Sequence, residues 1–420
     1  MDKLKLKVHR FLRWSEKYTK TDMIYAGRSG FWLVLGQIVG TLSAFILTVI
    51  FANYLSKEVF GVYKYILSTT GFLAVFSLTG MNTVVTRAVA QGYDGTFKYS
   101  LLLQLKWTLP QFLLLFILAT YYFLQGNVPF AIAFLIASVF GPISTVANTF
   151  NTFLHGKQDF RTATFYNISS TVFYIAFMLV TTFFFPQAVW LVAIYFISNA
   201  LANIFFCFRT LKKYPPQNPT LRVGDVTYAK HLSVMNIIGS ASQQIDNIIV
   251  YHLLGPVQLA IFSFSTILPD RIRTVFNTLA SAALPKLSEK HGGGWISLKF
   301  KMKQLGILAV LIITLYIFIA PYLYNLFFPE YISSILYSQV YILSLLLLPT
   351  YISVPSLLAT QQKKALYILS TILPIIKVFI SFLFILFWGV IGAIVARIVH
   401  NILYLVLSLH YVRLNKTPHE

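Results

Sequence analysis

The stretch QAVWLVAIYFISNALANIFFCFRTLKK (187–213) decides the fold. It starts beside Pro186, runs apolar for about 20 residues, and closes on Arg209, Lys212 and Lys213. Twenty apolar residues in a helix cover a hydrocarbon core of about 30 Å. A tryptophan at one end and a basic cluster at the other mark the two interfaces of a membrane span. The same pattern recurs along the chain. Of its 420 residues, 57% are hydrophobic and 11% charged, with mean hydropathy +0.72, which excludes a soluble globular domain.

The runs predict an all-α membrane protein with twelve transmembrane helices. They lie near 31–54, 62–86, 100–123, 128–151, 163–185, 187–208, 229–254, 258–285, 303–327, 333–357, 366–388 and 389–411. The closely spaced pairs need tight turns at Pro186 and at Trp388-Gly389.

Charge tests that count. With twelve spans, 26 of the 33 basic residues fall on one side. Eight lie in the segment that ends at Arg28; Arg87, Lys98, Lys157, Arg161 and the cluster after 208 follow. Lys286 to Lys303, Lys363, Lys364, Arg413 and Lys416 complete the set. The opposite side and its edges hold only Lys57 and Lys64. The positive-inside bias predicts both termini in the cytoplasm, in a multi-pass protein of the inner membrane. The net charge of +21 is then mostly a topology signal, and no nucleic-acid partner is expected. Trp32 and Trp107 fall near the inner boundary, Trp190 and Trp388 near the outer one. Residues 1–22 have no apolar core or cleavage site, so they read as a cytoplasmic segment on the membrane surface. The single cysteine, Cys207, reads as packing.

The chain also repeats. A shift of about 199 lays YLSKEVFGVYKY (54–65) on LLGPVQLAIFSF (253–264). The organisation expected is a bundle over 23–210, a cytoplasmic linker over 211–227 rich in proline and charge, a second bundle over 228–411, and a tail over 412–420. Six helices each make the two bundles a parallel pseudo-two-fold repeat, an arrangement that places a transport site between halves. The glycines of 292–294 lack the spacing of a phosphate loop, so no ATPase site is read there.

Seven charges remain inside spans: Lys106, Arg271, Arg273, Lys377 and Arg397, with Asp246 and Asp270. Each costs about 2.5–3.5 kcal/mol at the bilayer centre, so they face water, partners or cargo. Helical spacing aligns polar stripes with them. Span 7 carries Asn236, Ser240, Gln243, Asn247 and Tyr251; span 8 carries Thr266, Asp270, Arg273 and Asn277. Span 11 carries Ser370, Pro374, Lys377 and Ser381; span 12 carries Arg397, Asn401 and Tyr404. These are predicted walls of a cavity. The alternative reading is structural: Asp246 pairing with Lys377 or Arg397, Asp270 with Arg271 or Arg273, and Lys106 reaching back to the interface. His252 and His400 read as packing. Five basic residues against two acids favour an anionic ligand such as a phosphate or pyrophosphate. They argue against a cation exporter. No catalytic triad, carboxylate pair or metal cluster is present in the pattern, so neither an enzyme nor a cofactor is expected.

NYLSKEVFGVYKYI (53–66), GMNTVVTRAVAQ (80–91), LHGKQDFR (154–161), 244–264, LPKLSE (284–289) and ATQQKK (359–364) resemble Wzx-type oligosaccharide flippases. These form the polysaccharide-transporter branch of the MOP superfamily. The resemblance implies two bundles that alternate access, and a cargo of oligosaccharide on undecaprenyl pyrophosphate. With that cargo, Arg271, Arg273, Lys377, Arg397 and Lys106 read as cargo-binding residues and Asp246 and Asp270 as supporting or coupling acids. Asn236, Gln243, Asn247, Asn277 and Asn401 read as polar lining. An H+ or Na+ gradient is the candidate energy source. The partners implied are the lipid-linked oligosaccharide, membrane lipids, and a polysaccharide polymerase or glycosyltransferases; the chain is read as a monomer. Alternatives are a MATE-type multidrug or cation antiporter and a non-transporting scaffold of a glycan assembly complex.

The topology has a direct test. In a Cys207→Ala background, Lys290→Cys should label from the cytoplasmic side and Gln258→Cys from the outer side. Labelling of both from outside would remove the twelve-span reading.

Overall fold

A computed structural model describes residues 23–215, 224–288, 295–350, 353–354, 357 and 362–414. The expected cytoplasmic segment 1–22, residues 216–223 of the linker, the glycine loop and the end of the tail lie outside the described residues. Among the described residues the structure is helical, with no strand. The helices are α1 (Met23–Tyr54), α2 (Lys57–Leu73), α3 (Gly80–Ala90), α4 (Gly95–Trp107), α5 (Leu109–Leu124), α6 (Val128–Ala147), α7 (Thr149–Gly156), α8 (Phe160–Phe184) and α9 (Ala188–Lys213). They continue as α10 (Asp225–Leu254), α11 (Pro256–Ser288), α12 (Trp295–Phe327), α13 (Ser334–Tyr341), α14 (Lys363–Tyr367) and α15 (Leu373–Leu414).

Each of the twelve predicted spans has a helical counterpart. Eight stretches are long and apolar enough to cross a membrane among the described residues, and one of them, Lys364–Arg413, is long enough for two. It is broken at Gly389, where φ is 61° and ψ −137°, a conformation that excludes most side chains. The predicted turn at Trp388-Gly389 is there. Spans 7 and 8, now α10 and α11, fall outside the apolar set because polar stripes lower their hydropathy. Span 10 is a short helix followed by a 3₁₀ segment over Ile342–Leu347.

The second span departs from expectation. Instead of one helix over 62–86, α2 ends in a 3₁₀ turn at Phe76, and α3 begins at Gly80 after Leu78, whose φ is +54°. Its two pieces belong to different compact units. Unit 1 takes the described residues to Thr48, Phe76–Phe185 and Ala193–Leu232. Unit 2 takes Val49–Val75, Pro186–Val192 and the described residues from Ser233 onward. Grouping by contact thus places α2 with the later helices.

Local sequence explains three of the helix starts. Ser56 accepts a hydrogen bond from Val59 N at 3.2 Å, and Asn127 from Phe130 N at 3.3 Å just ahead of Pro129. Asp159 caps α8 through Thr162 N at 3.1 Å. The Asp159 carboxylate also accepts from the Tyr214 hydroxyl and from Lys213 Nζ at 3.1 Å. Its burial opposes ionisation, but these donors win and hold its carboxyl well below the usual carboxylate range. That stabilisation is complete above an unfolded pKa of about 3.9 and fades as pH falls below it.

Unit 1 packs α3, α7, α8 and α9 around Val84, Val85, Phe150, Phe153, Tyr166 and Phe206, with Cys207 buried among them. In unit 2, α2 lies against α10 and α11. Tyr65 stacks on Tyr251 at 3.9 Å, and Phe60 meets Phe264 at 4.8 Å. Gly61 makes this approach possible: a Cβ there would overlap the Pro256 carbonyl oxygen. Gly61→Ala should therefore destabilise the protein by about 1–3 kcal/mol, as overpacking does. Gly40→Ala on α1, with open space around it, should be neutral or slightly stabilising. Thermal unfolding of the two detergent-purified variants checks the contrast; equal melting temperatures would refute it.

Candidate functional site

A cavity of about 1050 Å³ lies within unit 2. Its walls come from α2, α10, α11, α13 and both halves of α15. Most of the predicted stripes form those walls: Asn236, Ser240, Gln243 and Asn247 from α10; Thr266, Asp270, Arg271, Arg273 and Thr274 from α11; Pro374, Lys377, Arg397, Asn401 and Tyr404 from α15, with Ser370 just ahead of it, whereas Ser381 is buried off the wall. A helix buries one face against its neighbours, and three- and four-residue spacing brings these polar groups to one side.

The deepest group is Asp246, fully buried on α10. Its Oδ2 accepts from Arg397 Nε at 2.6 Å and lies 3.0 Å from Lys377 Nζ. Lys377 Nζ also donates to the Ser242 carbonyl at 2.5 Å, one turn earlier on the same helix as Asp246. The Arg397 guanidinium lies over the Phe262 ring at 4.7 Å. Lys377 and Arg397 are therefore both engaged by one carboxylate, while their side chains still form part of the cavity wall. A second carboxylate, Asp270, accepts from the Tyr341 hydroxyl at 3.0 Å and lies 3.9 Å from Arg273. That ion pair is long and roughly 40% exposed on both sides, so it is weak.

Two cations on the wall have no such partner. Arg271 and Lys64 make no hydrogen bond or ion pair among the described residues. Lys64 lies within electrostatic reach of Asp270, Arg271 and Arg397. Its place corrects the reading of Lys64 as an outer-edge charge: α2 begins at Lys57, so Lys64 sits two turns inside it. The repeat carried a signal for this, since a shift of 199 lays Lys64 on Ser263, itself on the wall.

Other expectations fare differently. Lys106 is exposed on α4 in unit 1 and is not among the lining residues, as a side chain reaching for the interface would be. Tyr251 leaves the stripe to stack on Tyr65. Asn247 turns partly inward, donating to Ser68 Oγ at 2.9 Å. The Asn277 side chain lies outside the described residues. His252 packs as expected, in contact with the Tyr65 hydroxyl at 3.2 Å, whereas His400 is on the cavity wall. Tyr341 was not anticipated because span 10 shows no polar periodicity around it. The wall therefore holds five basic side chains, Lys64 taking the place expected of Lys106, against Asp270 on it and Asp246 behind it. An excess of positive charge remains, suited to phosphate oxygens and unsuited to an organic cation.

Comparison with solved structures gives the fold. A multidrug-resistance MATE family transporter of the MOP superfamily, in an inward-facing conformation, is 14% identical, with TM-score 0.70 over 90% of this chain and 96% of that one. The lipid II flippase MurJ, in an inward closed conformation, is 16% identical, with TM-score 0.66 over 92% and 87%. A MOP superfamily transporter from Pyrococcus furiosus, described as having a binding pocket of reverse polarity, is 14% identical, with TM-score 0.61 over 94% and 97%. A search of curated protein sequences finds no match. The family model described as polysaccharide biosynthesis protein matches residues 26–291, more than half of the sequence. The chain belongs to that polysaccharide biosynthesis family and has the multi-helix membrane fold seen in those MOP superfamily structures.

Proposed function

We propose that the protein is a flippase that carries an oligosaccharide linked to undecaprenyl pyrophosphate from the inner to the outer leaflet of the cytoplasmic membrane, for surface polysaccharide synthesis. The observation that supports this most is the excess positive charge on the wall of the cavity, five basic side chains against Asp270 on it and Asp246 behind it. Membership of the polysaccharide family and the MurJ-like fold agree with it. Lys64 and Arg271 are the available grips for the pyrophosphate, with Arg273 shared with Asp270. Arginine offers a planar fork that matches two phosphate oxygens, and lysine adds a mobile point charge. Lys377 and Arg397, held by Asp246, supply fixed positive potential behind them. Asn236, Gln243 and Asn401 on the wall would meet sugar hydroxyls, with Asn247 behind them tied to Ser68. The halves 23–210 and 228–411 would alternate access, with both termini cytoplasmic. An H+ or Na+ gradient is the proposed driving force, and a polymerase or glycosyltransferase the proposed neighbour of a monomeric transporter.

Two variants separate grip from scaffold. Lys64→Ala with Arg271→Ala should leave the melting temperature within a few degrees. It should lower flipping of a short-chain pyrophosphate-linked oligosaccharide in proteoliposomes by about 10–100-fold, the range for losing hydrogen bonds to charged groups. Asp246→Asn should instead destabilise the fold by about 3–5 kcal/mol, because it strands two buried cations. Unchanged flipping by the double variant would overturn the proposed grip. Uptake of a lipophilic cation by the wild type, with no flipping, would replace this function with antiport.

A further inference from the structure

The cavity of unit 2 has one acid among its lining residues, Asp270 of α11. Lys64 of α2 and Arg397 of α15 lie within electrostatic reach of it. A carboxylate placed among cations is drawn toward ion pairs. Arg397 is already held by Asp246, and Arg271, the next residue along α11, points elsewhere because sequence neighbours on a helix do not face each other. Lys64 is the cation that Asp270 would be expected to take. Yet among the described residues Asp270 makes only the long approach to Arg273, at 3.9 Å, and none to Lys64.

The hydroxyl of Tyr341 accounts for this. It donates to Oδ1 of Asp270 at 3.0 Å, the same oxygen that faces Arg273. Tyr341 is only 2% exposed, and it is fixed from several directions. Its ring lies beneath the Arg397 guanidinium at 5.9 Å. Its helix, α13, is tied to α11 where Ser334 Oγ donates to the Ile261 carbonyl at 3.2 Å. The same helix is tied to α12 where Ser338 Oγ meets the Tyr316 hydroxyl at 2.5 Å. A buried donor held in place resists losing its acceptor. If Asp270 swung toward Lys64, the tyrosine hydroxyl would be left unsatisfied in the interior, and that penalty exceeds the net worth of an ordinary hydrogen bond.

We propose that Tyr341 is a positioning residue: its hydroxyl keeps the Asp270 carboxylate on the α13 side of the wall, so that Lys64 stays open to an anion. This rests on the reading of the cavity as a pyrophosphate site, and adds the device that stops the wall's own acid from taking the cation. The charge count is the same with and without the hydroxyl; only the place of the negative charge differs. Tyr341 acts through Asp270 and needs no contact with the cargo.

The test is titration of farnesyl pyrophosphate, a pyrophosphate lipid without sugar, into the full chain in phosphatidylcholine nanodiscs, read by calorimetry. Tyr341→Phe keeps the ring beneath Arg397 and removes only the hydroxyl. It should weaken binding by about tenfold, the lower range for a hydrogen bond to a charged group. Asp270→Asn should strengthen binding by about tenfold, because the competing charge is gone. In the Asp270→Asn background, Tyr341→Phe should change affinity by less than about twofold, since the two residues act as one coupled pair. Wild-type affinity in Tyr341→Phe would overturn the proposal. So would an equal loss in both backgrounds, which would mean that the tyrosine acts through the fold or touches the lipid itself. Binding by Asp270→Asn but not by the wild type would also overturn it, with the acid already holding Lys64, and would leave the anion site standing. Binding by neither would remove the pyrophosphate reading together with the device that serves it.

Discussion

One carboxylate, Asp246, organises the cavity-bearing unit of this molecule. It is fully buried, yet it holds Lys377 and Arg397 on a single oxygen. None of the three charges would be tolerable alone in a helix bundle surrounded by hydrocarbon, where each costs several kcal/mol. Together they are acceptable, and the arrangement has a geometric consequence. Asp246 belongs to α10, Lys377 to the first half of α15 and Arg397 to the second half, beyond the Gly389 break. Three membrane-crossing segments are thereby pinned at one depth. The break at Gly389 is necessary to this, since only a reversal of α15 can return Arg397 to the level of Lys377.

The triad is unbalanced. Two cations share one anion, so the cluster as a whole keeps a positive charge beside the cavity. A neutral pair would hold helices equally well and leave no field. This gives a physical reason to separate the basic residues into two sets. Lys377 and Arg397 are fixed sources of potential. Lys64 and Arg271 have unoccupied hydrogen-bonding capacity among the described residues. Charge counting gives the sign of the cavity, but only the pairing pattern tells which side chains can turn toward a ligand.

The sequence revealed what periodicity and composition can carry. Twelve helical segments, the turn at Trp388-Gly389 and the polar faces of α10, α11 and α15 follow from apolar run length and from three- and four-residue spacing. The faces were legible for the same reason that α10 and α11 miss the apolar threshold for spans: a stripe of Asn, Gln, Ser and charge is costly in lipid, so it must point elsewhere. What periodicity cannot carry is a break or a pairing. The split of the second span rests on one residue, Leu78, in a left-handed conformation. That split moves α2 to the later helices and turns Lys64 from an edge charge into a wall residue. Lys106 reads as lying inside a span and Lys64 as lying at an edge, and only tertiary contact shows that Lys64 lines the cavity and Lys106 does not.

The sign of the cavity is also a constraint on the fold's other uses. The same backbone architecture, at 14% identity, serves a multidrug-resistance MATE transporter. Helix packing at such low identity is retained because it depends on volume and apolar pattern, both of which many sequences satisfy. Cavity polarity depends on a handful of side chains, and these can change without disturbing the packing. Replacing Lys64 and Arg271 would alter neither the Gly61–Pro256 approach nor the Tyr65–Tyr251 stack that hold α2 in place. Replacing Asp246 would disturb three segments at once. Cavity polarity in such a scaffold is therefore free to vary at Lys64 and Arg271, and is tied to the fold at Lys377 and Arg397.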